Sequence, residues 1–132
     1  MRYPNLSCKI EIQSLINPSE DPKKIETAIL NIFPDVKIKT EEFFMISYTK
    51  DLHLLEKILN EIHSKHLQKI YQRQLDNNLK NDSTWFYINK QAAFVGKIVL
   101  CEEGEESPLG PIKVKLISSN INLIIDWIAE QN

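Results

Sequence analysis

Apolar and polar residues alternate from Cys8 to Ile16, with Cys8, Ile10, Ile12, Ser14 and Ile16 on one side and Lys9, Glu11 and Gln13 between them. A period of two is the mark of a half-buried strand. The period then lengthens. Ile25, Ala28, Ile29 and Ile32 recur at helical spacing behind Ser19-Glu20-Asp21-Pro22, which places Asp21 as N-cap and Pro22 at the first helical position, and Pro34 ends the run. Two extended segments follow, Val36 to Lys39 and Phe43 to Tyr48, joined by the short polar link Thr40-Glu41-Glu42 of a hairpin.

Asp51 reads as another cap, and Leu52, Leu55, Leu59 and Ile62, then Leu67, Ile70, Tyr71, Leu75 and Leu79, mark helical stripes. Residues 51–80 form either one helix or two with a break near Ser64. A helix of roughly thirty residues is long for a domain of this size, which favours the break. Thr84 to Asn89 carries bulky β-formers on both faces, as in a strand covered on each side or packed under helices. Phe94 to Cys101 reads as a further strand. Pro111 to Ile117 alternates cleanly, Ile112, Val114 and Leu116 against Lys113 and Lys115, and Asn120 is placed to cap a last helix with the stripe Ile121, Ile124, Ile125 and Ile128. The order lacks the regular alternation of a doubly wound sheet and predicts an α+β fold, a mostly antiparallel sheet carrying helices, as a single domain over residues 1–132.

Composition adds limits. With 42% hydrophobic and 26% charged residues in 132, the chain has enough apolar surface for its own core. An apolar run such as Ala92 to Val95 is far too short to span a bilayer, and Met1-Arg2-Tyr3-Pro4 leads into no apolar signal core, so the expected location is the cytoplasm. Cys8 lies on the buried side of the first strand and reads as a reduced core thiol rather than half of a disulfide with Cys101. A net charge of −2 excludes bulk coating of nucleic acid and leaves room only for a local basic patch.

The chemical motifs are sparse. Gly96, Gly104 and Gly110 are the only glycines, and their spacing forms neither a phosphate-cradling loop nor a dinucleotide fingerprint. No serine sits in a nucleophile elbow and neither cysteine is marked as activated, so no enzyme and no cofactor is expected. His63 and His66, with Glu61, lack further metal ligands, and surface histidines are the plain reading. Glu102, Glu103, Glu105 and Glu106 bracket Gly104 in what reads as a solvated turn, although such carboxylates suit a hard cation or a basic partner. Lys9, Lys37, Lys39, Lys97, Lys113 and Lys115 all fall between apolar neighbours in the strand segments. They either line a half-exposed sheet or gather on its outer face as a phosphate-tracking surface, with Trp85 or Tyr87 for stacking. Asn89-Lys90-Gln91 interrupts apolar sequence with three polar residues, two of them poor turn formers, and is a candidate ligand-facing segment.

Trp85-Phe-Tyr-Ile-Asn-Lys-Gln-Ala-Ala-Phe-Val-Gly-Lys97, followed by Glu106-Ser-Pro-Leu-Gly-Pro-Ile112, resembles the signature region of the archaeal uncharacterised protein family 0201. Pro18 to Pro22, Asn31-Ile-Phe-Pro34 and Ile125-Asp-Trp-Ile128 extend the resemblance over nearly the whole chain. It implies a fold similar to the ribosomal protein that binds 5S ribosomal RNA, a place among RNA-binding proteins and a cytoplasmic, archaeal setting. Asn89, Lys90, Gln91, Ser107 and Gly110 are motif positions. Gln72 to Lys80 departs from expectation, being rich in amides where arginine would suit a phosphate-tracking helix. The function expected is a non-catalytic RNA-binding module with Asn89, Lys90, Gln91, Lys97, Lys113 and Lys115 as nucleic-acid contacts. The alternative is a homodimeric protein-interaction module using the acidic loop or a sheet edge. An enzyme built on Lys90 and the Glu102 to Glu106 loop has the least support, because no base and nucleophile pair can be named.

Overall fold

A computed structural model describes residues 2–102 and 109–130. Strand β1 (Lys9–Leu15) leads into α1 (Pro22–Ile32), where the Asp21 carboxylate accepts from the Lys23 amide at 3.0 Å. The hairpin β2 (Lys39–Thr40) and β3 (Phe44–Thr49) follows. A 3-10 turn at Leu52–Leu55, capped by Asp51, runs into α2 (Glu56–Lys65), and α3 (Gln68–Asn77) comes next. The break between those helices falls at His66, which takes the left-handed conformation with φ 56° while the Leu67 amide reaches back to the Ile62 carbonyl at 2.9 Å. Then come β4 (Ser83–Asn89), α4 (Lys90–Phe94), β5 (Leu100–Cys101), β6 (Pro111–Ile117) and α5 (Ile121–Ile128).

The strands form a six-stranded sheet in the order β2-β3-β1-β6-β4-β5, every neighbouring pair antiparallel. Register decides which side chains share a face. Ile12 lies opposite Val114, which in turn lies opposite Phe86, so the inward residues of the three central strands form continuous apolar rows. The helices bury their stripes on those rows: Ile25, Ala28, Ile29 and Ile32 from α1, Ile58, Leu59 and Ile62 from α2, Tyr71 and Leu75 from α3, and the four isoleucines of α5. Tyr71 meets Phe86 edge-on, ring centres 5.5 Å apart. Burial pushes the Tyr71 hydroxyl well above its ordinary pKa, with smaller contributions from Glu61 and Cys101. Both cysteines are buried thiols. No helix among the described residues is long and apolar enough to cross a membrane.

Three local expectations change. The segment Phe94 to Cys101 is not one strand, because Asn89 leaves β4 in extended conformation and its side chain accepts from the Ala92 amide at 2.8 Å, starting α4. Ala92 and Ala93 then favour helix, and Gly96 at φ 80° turns the chain out of it. Only Leu100 and Cys101 remain to pair with β4. Likewise β2 is confined to Lys39–Thr40, since Val36 and Ile38 pack against the core instead of pairing. Asn120 does not cap α5 with its side chain. Ser118 does the local work, its hydroxyl accepting from the Asn120 amide at 3.0 Å and donating to the Ser7 carbonyl at 2.6 Å.

Candidate nucleic-acid interface

The alternation that buries one face of the sheet presents the other. Outward positions are Phe44, Ile46 and Tyr48 on β3, Lys9, Glu11 and Gln13 on β1, Lys113 and Lys115 on β6, and Trp85 and Tyr87 on β4. The described helices all turn their apolar sides to the inner face, so these outward residues are only partly covered, and Tyr48 is 53% exposed. Directly opposed residues make two rows across the sheet. One runs Tyr48, Glu11, Lys115, Trp85, and the other runs Lys39, Ile46, Gln13, Lys113, Tyr87. Two ammonium groups lie on aromatic rings, Lys113 4.7 Å from the centre of Trp85 and Lys9 4.5 Å from that of Tyr48. Partial burial, and next the charge of Lys115, pull the Lys113 pKa below its ordinary value, with Glu11 opposing.

Of the six residues expected to touch nucleic acid, the structure brings Lys113 and Lys115 together on this face and sets the other four elsewhere. Asn89 is the cap of α4. Lys97 is exposed in the turn after α4, its amide bonded to the Ala92 carbonyl at 2.9 Å. Gln91 is exposed at a cavity of about 330 Å³ that Ser19, Lys24 and Phe94 also line. Lys90 points inward, its side chain 4% exposed, and donates to the Leu15 carbonyl at 2.9 Å, the Leu109 carbonyl at 2.9 Å and both oxygens of Glu20 at 3.0 and 3.2 Å. Burial raises the Glu20 pKa, but hydrogen bonds from the Asn17 side chain and amide and the Lys90 ammonium outweigh it and hold the carboxyl below its ordinary value. Lys90 therefore ties the end of β1, the entry to α1 and the approach to β6 together. Gly110, at φ 79°, turns the chain from that anchor into β6.

Lys9 and Lys39 join the outer face, whereas Lys37 precedes β2 and is exposed, its carbonyl accepting from the Ser47 hydroxyl at 2.6 Å. Tyr48 and Glu11 belong to the face although sequence reasoning did not single them out. Their parity along β3 and β1 carried the signal, but strand order was needed to set them beside Lys115. Among the described residues no three His, Cys, Asp or Glu side chains converge as metal ligands, His63 and His66 included. Glu102 is exposed and bridges Arg73 at 3.2 Å. Glu103, Glu105, Glu106 and Ser107 lie outside the described residues.

A family model described as RNA binding matches residues 9–117, a span that holds the whole sheet. A UPF0201 protein of Methanothermobacter thermautotrophicus is 34% identical over 92% of this chain and 90% of the relative. The chain belongs to the UPF0201 family. A UPF0201 protein of Sulfurisphaera tokodaii is also 34% identical, over 91% of this chain and 86% of its own length. Among solved structures, the UPF0201 protein from Methanococcus jannaschii superposes with a TM-score of 0.76 at 31% identity, covering 94% of each chain. Another UPF0201 crystal structure gives 0.77 at 28% identity over the same shares.

The amide-rich α3 of this UPF0201 chain has a structural purpose. β5 pairs with β4 at Tyr87 and Ile88, and among the described residues no strand pairs with the rest of that β4 edge. The Gln74 amide fills the next place, accepting from the Tyr87 N–H at 2.9 Å and donating to the Cys101 carbonyl at 2.8 Å. Asn78 donates to the Trp85 carbonyl at 2.9 Å. An amide side chain carries a donor and an acceptor like a peptide group, which arginine does not. These residues therefore finish the sheet, and the missing arginines have no bearing on the outer face.

Proposed function

We propose that the chain is a non-catalytic RNA-binding module that uses the outer face of its sheet. The observation that carries this reading is the side-by-side placement of lysines and aromatic rings on one open plane, Lys113 and Lys115 beside Trp85 and Tyr87, with Lys9 beside Tyr48. Ammonium groups meet phosphates and rings meet bases, and a protein of net charge −2 can bind nucleic acid only through such a local concentration. The family description points to the same ligand. The non-catalytic part is supported by Lys90, the one buried amine among the described residues, whose three protons already face four acceptors. A homodimer through a continuous sheet is less well supported, since both outermost strands are two residues long.

The test is filter binding of total and ribosomal RNA at two salt concentrations, with the parent chain and with a Lys113→Gln, Lys115→Gln double variant. The ribosomal arm addresses the kinship with the 5S-binding ribosomal protein that the sequence resemblance implies. Micromolar, salt-sensitive binding that the double variant loses is expected. Absence of salt-sensitive binding at micromolar protein overturns the reading.

A further inference from the structure

We propose that the outer sheet face selects single-stranded RNA, two successive bases stacking on Trp85 and Tyr87 while Lys115 and Lys113 receive their phosphates; this rests on the RNA-binding reading above.

Spacing is the first reason. Trp85 and Tyr87 are two residues apart on β4, so their rings rise from points about 6.8 Å apart along the strand. Stacked nucleotides in a helix advance by about 3.4 Å. Neighbouring bases can use both rings only after they have come apart from each other, which a duplex does not permit.

Register is the second. Trp85 lies directly opposite Lys115 and Tyr87 directly opposite Lys113, so each ring-bearing residue has a lysine across from it on the neighbouring strand. On the far side of Lys115, β1 places Glu11 in the same row. That carboxylate repels a phosphate chain and confines it to the β6 and β4 side, a track one polynucleotide wide. A duplex brings two rows of phosphates, and the second would meet Glu11. Gln13, opposite Lys113, adds an amide that can pair with a base edge without opposing charge.

The pairing of Lys113 with Trp85 completes the case. The ammonium lies over the indole face at 4.7 Å. A base that stacks there displaces it toward the adjacent phosphate, so one group serves as cover for the ring and then as ligand for the anion. Burial and the neighbouring charge of Lys115 already weigh against the Lys113 cation, and an arriving phosphate relieves that repulsion.

The experiment uses the full chain with Trp127→Phe, which leaves Trp85 as the sole indole because the sequence has two tryptophans. Titrations follow a mixed-sequence single-stranded RNA and the same strand annealed to its complement. Expected results are quenching of Trp85 emission by the single strand and binding of the duplex at least about tenfold weaker. Trp85→Leu and Tyr87→Leu, each checked for an unchanged circular dichroism spectrum, should weaken single-strand binding by roughly 5- to 150-fold. Lys113→Gln should lower the salt slope by about 0.7. Equal or tighter duplex binding, or unaltered Trp85 emission at saturation, overturns single-strand selection while leaving RNA binding in place. No binding of either RNA removes this proposal and the RNA-binding reading together.

Discussion

Lys90→Met deletes an ammonium and little else, since methionine keeps most of the apolar stem. The parent group bonds two main-chain carbonyls and both oxygens of Glu20, and the Glu20 side chain is itself only 9% exposed. Removing one partner of a buried pair typically costs about 3–5 kcal/mol, because the other charge is left without compensation. Asn17 still donates twice to Glu20, at 3.1 and 2.7 Å, which places the variant at the low end, about 3 kcal/mol near neutral pH. For a domain of this size that lowers Tm by on the order of 10 °C. Urea unfolding followed by circular dichroism measures the loss directly. The pH dependence gives a second reading. Glu20 has a folded pKa below its ordinary 4.5, so its contribution is present above that value and disappears as pH falls through the folded pKa. In the variant the carboxyl loses its cation and takes up a proton at higher pH, which ends the penalty. The gap between parent and variant should therefore narrow below about pH 4.5, and adding Glu20→Gln to Lys90→Met should restore part of the loss at neutral pH. A loss under about 1 kcal/mol, or a gap that stays constant into acid, would refute this account of Lys90.

Two further outcomes test the sheet edge and the end of α4. Gln74→Leu removes the two bonds that the Gln74 amide makes to β4 and β5, leaving the Tyr87 N–H and the Cys101 carbonyl without that partner. Unfolding free energy should fall by about 1–3 kcal/mol, and hydrogen exchange at the Tyr87 amide should quicken even under conditions where the fold persists. Gly96→Ala meets no atom within 4 Å of the added methyl, so the cost comes from its φ of 80° alone, about 1–2 kcal/mol by urea melt, with the RNA titration unchanged.

Where one residue type reports one environment, the sequence was legible. The alternations at Cys8 to Ile16 and Pro111 to Ile117, the Asp21-Pro22 start of α1 and the isoleucine stripe of α5 all depend on local rules, and each lies where those rules put it. The outer lysines were also visible by parity, and Lys113 and Lys115 did come together beside Trp85 and Tyr87. What local pattern lacks is partners. Nothing near Lys90 in the chain announces Glu20, seventy positions away, so a polar triplet between apolar segments looked like a ligand-facing turn instead of a helix start with a buried anchor. Gln74 and Asn78 posed the same difficulty, since an amide on a helix shows its purpose only once the strand edge beside it is known.

The finished edge gives the open face its freedom. A plane of rings and methyl groups is a hazard in a β protein when the adjoining main chain is unpaired, because a second molecule can then continue the ladder and the planes stack into fibrils. Here the outermost strands are two residues long, and a side-chain amide occupies the next hydrogen-bonding place along β4. The rings and lysines of the outer face thus stand beside a β4 edge whose main chain is already bonded by amide side chains of the same molecule.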